Sequence, residues 1–175
     1  GEVFKRAGGV PVNIPGGELY TALQTGVIDA TEWVGPYNDL AFGFQQIAKY
    51  YYFPGWHEPG SMLEFIINLD AWNELPTHLQ SIVKTAAKAV NQDLLDEYTA
   101  MNNQALRELI DVHNVQLKKL PDDVINEFRV ISKSVLDEIA ENDNQFKSIY
   151  ESYLKFKSEV VSYHEISEDA YTKIR

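Results

Sequence analysis

The chain has 175 residues, 45% of them hydrophobic, and carries 15 Lys and Arg against 26 Asp and Glu, a formal charge of -11, with no cysteine. That balance leaves no concentrated basic face for a phosphate backbone, which excludes nucleic-acid binding, and the missing thiols exclude a disulfide scaffold, a thiol nucleophile and a zinc-thiolate site. No apolar run approaches the roughly 20 residues of a membrane-spanning helix, and the length suits one substantial core, alone or with a helical appendage.

Glu2 to Arg6 reads as the end of a helix and Pro11 to Ile14 as a strand. The run GGELYTALQTGVIDATEWVGPYND, which opens at Gly16 and closes at Asp39, is the densest in signals. Glu18 to Thr25 forms a short helix, Gly26 supplies the left-handed stop, and Ile28 to Glu32 resumes as a strand that Gly35 and Pro36 end. Asn38 and Asp39 start a short helical segment over Pro36 to Phe44. Strands are expected at Tyr50 to Phe53 and Leu63 to Leu69, and this alternation of helix and strand predicts an α/β sheet. Glu32 and Trp33 then stand at a strand's carboxyl end, where open α/β sheets bind ligands.

Composition changes after Pro76. Residues 1–76 are rich in Gly, Pro and aromatics, which suits a partial α/β ligand-binding lobe; residues 77–175 read as a long helix and a C-terminal helical region packing on that lobe. From Thr77 to about His113 the apolar positions Leu79, Val83, Ala86, Val90, Leu94, Tyr98, Met101, Ala105 and Leu109 recur at about 3.7 residues, near the straight-helix period. A helix of that length is expected either to kink, with Asn102-Asn103 its weakest point by propensity, or to leave one end protruding. Val115 to Leu117 reads as an edge strand. Pro121, with Asp122 and Asp123, opens a helix whose stripe is Val124, Phe128, Ile131, Val135 and Ile139. Asn142 to Asn144 separates it from a third helix bearing Phe146, Ile149, Tyr150, Tyr153, Phe156 and Val160, and Ser167 caps a last short one. Aromatics at helical spacing read as packing.

The chemistry concentrates on Glu32, Trp33 and the loop PGWHEPG from Pro54 to Gly60. Its two prolines stiffen the loop, and its glycines permit close approach, so His57 and Glu58 are held in place. Glu32 and Glu58 each follow an apolar strand, which would bring both to one sheet edge. Two carboxylates in a crevice repel unless a cation lies between them, and a hard oxygen site selects Ca²⁺, Mg²⁺ or Na⁺. Trp33 and Trp56 offer apolar walls, Tyr37 a hydroxyl, and His57 a ligating or pH-sensing imidazole. The plainer readings make Glu58 a solvated loop acid, Glu32 a turn cap, the aromatics core cover and His57 a loop residue.

The run Gly8 to Asp39, centred on ELYTALQTGVIDATEWVGP, together with YYYFPGWHEPGSMLEFIINLDAWNELP (Tyr50 to Pro76), resembles the second lobe of solute receptors of tripartite ATP-independent periplasmic (TRAP) transporters, the DctP-like family. The resemblance implies a periplasmic-binding-protein-like α/β fold: a mixed sheet with flanking helices, then a long helix and helical tail, with the first lobe incomplete and the chain a carboxy-terminal half. It implies a periplasmic receptor that captures a small organic acid, a 2-oxo or 2-hydroxy carboxylate, and hands it to TRAP membrane permease subunits. The positions of Glu32, the Trp33 backbone and Glu58 would hold Ca²⁺ or Na⁺ bridging the ligand's carboxylate, with Ca²⁺ favoured by the two acids. Glu32 and Trp33 match the family's motif directly, whereas Glu58 matches by spacing and context. The resemblance also places an arginine for that carboxylate, and at least one sheet strand, upstream of Glu2, so the chain alone is expected to bind weakly or not at all. The long helix would bridge lobes or form a homodimer.

Two other classes compete. Two separated Glu could serve as a glycosidase acid and base, yet no HExxH, P-loop or Ser/His/Asp pattern is present, so no enzyme is expected. A helical interaction or oligomerisation module without small-molecule binding would use the stripes beyond Thr77.

Overall fold

A computed structural model of the chain describes residues 1–58, 60 and 63–175. Its helices are α1 (Glu2–Arg6), α2 (Leu19–Gln24), α3 (Pro36–Ala41), α4 (Leu69–Glu74), α5 (Thr77–Asp111), α6 (Asp122–Asn142), α7 (Asn144–Ile166) and α8 (Glu168–Lys173). The strands β1 (Tyr50–Phe53) and β2 (Gln116–Lys119) lie on either side of α4 and α5 in sequence. Packing sorts these into two compact units, one of Val12–Pro121 and one of Gly1–Pro11 with Asp122–Arg175. The change of composition at Pro76 is a change of architecture, and α5 packs with α3 in the first of these units.

In the Val12–Pro121 unit, a 3-10 turn over Gly16–Glu18 leads into α2, which buries Leu19 and Ala22. Gly26 takes the expected positive φ of 73°, and the Val27 amide closes back on the Ala22 carbonyl at 2.9 Å. Pro36 starts α3 in the first-turn position where its missing N–H costs nothing. β1 and β2 pair in parallel with Tyr50 opposite Gln116 and Phe53 opposite Lys119. Such a pair requires a long crossover, and α4 with α5 provides it.

The sheet among the described residues is this two-stranded parallel one, where a mixed sheet was expected. Pro11 to Ile14, Ile28 to Glu32 and Leu63 to Leu69 are not strands. Strand character needs a neighbour to take up the amides and carbonyls, and these runs have no ladder partner among the described residues. At the last of them Asn68 accepts from the Ala71 amide at 3.0 Å, which turns Leu69 into the start of α4. Phe65 and Ile66 just before it remain 73% and 86% exposed.

Of the two expectations, a kink or a protruding end, the kink is absent: helix α5 runs unbroken through Asn102-Asn103. Both amides find partners that do not compete with the helix: Asn102 Oδ1 accepts from the Tyr37 backbone at 2.9 Å, and Asn103 Oδ1 accepts from Arg107 one turn on at 3.1 Å. Only the far end of α5 reaches the core, with Ala105 and Leu109 buried, while Ile82, Val90 and Leu95 are exposed. Asn114, at a positive φ of 55°, ends the turn that follows, and the Val115 amide bonds the Leu109 carbonyl at 2.9 Å.

In the other unit α1 packs on α6, with Phe4 and Phe128 stacked at 6.4 Å between ring centroids. Asp143 caps α7, accepting from the Gln145 and Phe146 amides at 2.8 and 2.9 Å. The apolar face of α7 behaves unlike the packing stripe expected of it: Ile149, Tyr153 and Phe156 are exposed and none of its residues is buried. Ser167 precedes α8 but does not cap it, because its hydroxyl donates to the Tyr163 carbonyl of α7 instead. No helix among the described residues is long and apolar enough to cross a membrane.

Candidate cation and ligand site

The irregular segment after Gly26 delivers Glu32, and the loop after β1 delivers His57 and Glu58. Each of the three offers a ligand atom, and these atoms all lie within 4.8 Å of one another. His57 Nε2 is 3.5 Å from Glu32 Oε2, and both side chains keep partial access to solvent. Trp56 lies against His57, with ring centroids 4.8 Å apart. Pro59, in the same loop, lies outside the described residues.

The electrostatics follow from this crowding. Partial burial lifts the Glu32 carboxyl above its ordinary value, the positive potential of His57 opposes that rise, and the charges of Glu58 and Asp39 add to it. A group so placed favours either a proton or a cation at its side. Ca²⁺ holds its oxygen ligands at about 2.3–2.6 Å, so two ligands of one ion stand at most about 5 Å apart. The three side chains meet that limit, and their two carboxylates supply hard oxygen chemistry.

Trp33 and Tyr37 are placed differently. A Cβ on Gly16 would fall 2.6 Å from the Trp33 ring, and that ring sits 4.9 Å from Phe42, so the indole packs against Gly16 and Phe42. The Tyr37 hydroxyl donates to Glu97 of α5 at 3.3 Å, and its ring meets Tyr98 edge-on at 6.2 Å. The Trp33 indole is therefore taken up by packing, and Tyr37 is anchored to the long helix.

Three supporting residues escaped the sequence reading. Asp39, only 7% exposed, accepts from the Tyr51 hydroxyl with one oxygen and from the Val34 amide at 3.4 Å with the other. Burial raises its carboxyl above the ordinary range, opposed by those hydrogen bonds. Burial, then the hydrogen bond to Asp39 and the charges of Asp39 and Glu32, also holds the proton on Tyr51. Asn102 reaches from α5 to the Tyr37 amide in the first turn of α3. An acid three residues after a helix-starting proline was the available hint for Asp39; nothing in the local sequence announces Asn102.

Comparison with known proteins matches residues 1–143 to the family described as bacterial extracellular solute-binding protein, family 7. A monocarboxylate 2-oxoacid-binding periplasmic protein of Nostoc sp. is 39% identical over 98% of this chain and 47% of its own length. A TRAP periplasmic solute-binding protein of Colwellia psychrerythraea, solved with bound calcium and pyruvate, superposes with a TM-score of 0.95 at 39% identity over 100% of this chain and 53% of that one. Its counterpart from Pseudoalteromonas atlantica, solved with bound sodium and pyruvate, gives 0.92 at 37% identity over 99% of this chain and 53% of that one. The chain thus spans about half the length of the relatives it matches.

Proposed function

Because this chain belongs to the bacterial extracellular solute-binding proteins of family 7, we propose that it forms one wall of a periplasmic receptor cleft that captures a small 2-oxo or 2-hydroxy monocarboxylate for a TRAP permease. The observation that carries the reading is the convergence of Glu32, His57 and Glu58, with ligand atoms inside 4.8 Å, from segments far apart in sequence. Glu32, the Trp33 carbonyl and Glu58 would hold Ca²⁺ or Na⁺. When bound, that ion neutralises the two acids and lets an anionic ligand approach a chain of net charge -11. A carboxylate and its neighbouring oxo group together offer two hard oxygens, which suits the donor set. Trp56 and His57 would meet the ligand's apolar end and second oxygen, and Trp33 and Tyr37 would shape the wall from behind. The exposed half of α5 is offered as a homodimer contact.

The chain's own residues leave the ligand charge to be met by the cation and by the opposite wall, so the isolated chain should bind weakly or not at all. The test is a thermal-shift series on the full-length receptor with pyruvate and other small 2-oxo and 2-hydroxy acids, with Ca²⁺ or with chelator. Stabilisation that requires both acid and cation supports the reading, and the absence of any shift overturns it. The bare apolar face of α7 favours a second role, a protein-interaction surface independent of small molecules; a protein that fails the ligand test yet self-associates in sedimentation would support that alternative.

A further inference from the structure

Among the described residues no strand ladder joins the two walls of the Glu32–Glu58 cluster: Glu32 arrives on an irregular segment, and Glu58 on the loop after β1. Their spacing must be fixed by something else. β1 itself is held along one edge, by its pairing with β2 and by the Leu120 amide on the Phe53 carbonyl at 2.7 Å. Besides the direct approach of His57 Nε2 to Glu32 Oε2 at 3.5 Å, a connection runs through Asp39. One of its oxygens takes the Val34 amide, two residues after Glu32, and the other takes the hydroxyl of Tyr51, in the strand that leads to His57 and Glu58. The Asp39 amide bonds the Gly35 carbonyl at 2.8 Å, so the carboxylate is itself rigidly based on the first turn of α3.

We propose that the Tyr51–Asp39–Val34 chain of hydrogen bonds is a strut that sets the separation of Glu32 from Glu58 and thereby the cation affinity of the site. Asp39 and Tyr51 are positioning residues: neither belongs to the cluster of ligand atoms that Glu32, His57 and Glu58 form. An acid kept in an apolar setting is a poor way to maximise stability, and a fixed geometry is what such a group can supply. Asp39 also adds negative potential at Glu32, so the strut must be separated from a simple charge effect. Tyr51→Phe removes the link and keeps the charge. Asp39→Asn removes the charge and keeps the link, because its amide oxygen can accept from Val34 while its NH₂ donates to the Tyr51 oxygen.

The inference rests on the receptor reading above, and the experiment separates the two. Isothermal titration of Ca²⁺ alone, then of pyruvate at saturating Ca²⁺, is run on the full-length protein, Tyr51→Phe, Asp39→Asn and the control Tyr52→Phe, an exposed neighbour on β1. Melting temperature and amide exchange at Val34 are followed alongside. Tyr51→Phe is expected to weaken Ca²⁺ binding roughly tenfold or more, the usual effect of losing a group that orients a metal ligand, and to speed Val34 exchange in the ion-free protein. Asp39→Asn should lose less, and Tyr52→Phe nothing. A Tyr51→Phe protein that melts lower yet binds Ca²⁺ like the parent makes the pair merely structural and overturns the strut. Loss in Asp39→Asn greater than in Tyr51→Phe assigns the effect to charge and overturns it too. If the parent binds neither Ca²⁺ nor Na⁺, alone or with pyruvate, the receptor reading fails first and the strut falls with it.

Discussion

Arg6 and Glu138, 132 positions apart, meet as a two-pronged pair: Nη1 lies 2.6 Å from Oε1 and Nη2 2.7 Å from Oε2. Glu2 engages the remaining Nε at 2.8 Å, so one guanidinium ties α1 to α6 and to its own first turn. A planar fork matched to a carboxylate is the strongest geometry that an exposed ion pair attains.

The pair makes a signed prediction about pH. Hydrogen bonds from Arg6 and then Ser134 hold the Glu138 carboxyl down at about 2, against 4.5 for a free glutamate. A depressed acid contributes stability above its unfolded value and loses it as pH falls through the folded one. Glu138→Gln should therefore unfold earlier than the parent at pH 7, with the gap closing between roughly pH 4.5 and 2. Urea midpoints across that range measure it, and high salt should shrink the pH 7 gap.

Asp39 has the opposite sign. Its carboxyl is raised by burial, so it favours the fold below its unfolded value and loses that contribution as pH rises through the folded one. Asp39→Asn should flatten this part of the stability profile above about pH 4. Unfolding midpoints taken from acid to neutral pH would show parallel curves if burial did not penalise the charge.

For the site itself, Glu32→Gln should weaken cation-dependent capture by the full-length receptor more than Glu58→Gln. The first loss should be at least the roughly 10–100-fold seen when a metal ligand's support is removed. Titration with pyruvate and Ca²⁺ checks the order, and equal losses would mean that the two acids share the ion differently.

Gly16 is fixed by contact, since any Cβ there would meet Trp33 at 2.6 and 2.9 Å. Gly16→Ala should displace the indole, shift tryptophan emission and cost about 1–3 kcal/mol through overpacking. Unchanged emission and unfolding midpoint would place the ring elsewhere.

Asn102 does for α3 what a capping side chain would do. Gly35 occupies the cap position without a side chain, and Asn102 Oδ1 lies 3.1 Å from where its Cβ would be, accepting from the Tyr37 amide. Asn102→Ala should cost about 1 kcal/mol, the usual value of a lost helix cap, read as a lower melting temperature. Asn102→Asp, which keeps the acceptor, should recover most of it.

Short-range signals carried much of this chain. The Gly26 stop, the short helical segment from Pro36, the break at Asn142 to Asn144 and the long periodicity of α5 are visible because each is decided within a turn or two of backbone. Pro11 to Ile14, Ile28 to Glu32 and Leu63 to Leu69 read as strands and are not, because a strand is completed by a neighbour that its own sequence does not specify. The Ser167 cap failed through a local competition, its hydroxyl taking the Tyr163 carbonyl behind it rather than the amides ahead. The aromatic face of α7 obeys helical spacing, yet spacing alone says nothing about what covers it.

The sequence by itself determined the family motif, the helices, and the residue types that can hold a hard cation, since composition and near-neighbour chemistry decide all three. Only the tertiary structure decided that His57 joins the two acids in one cluster, that Trp33 is packed on Gly16, and that Asp39, Tyr51 and Asn102 brace the segment after Glu32. These are contacts across 12 to 65 positions of chain. Whether such groups meet depends on how distant segments close upon one another, which no local propensity encodes.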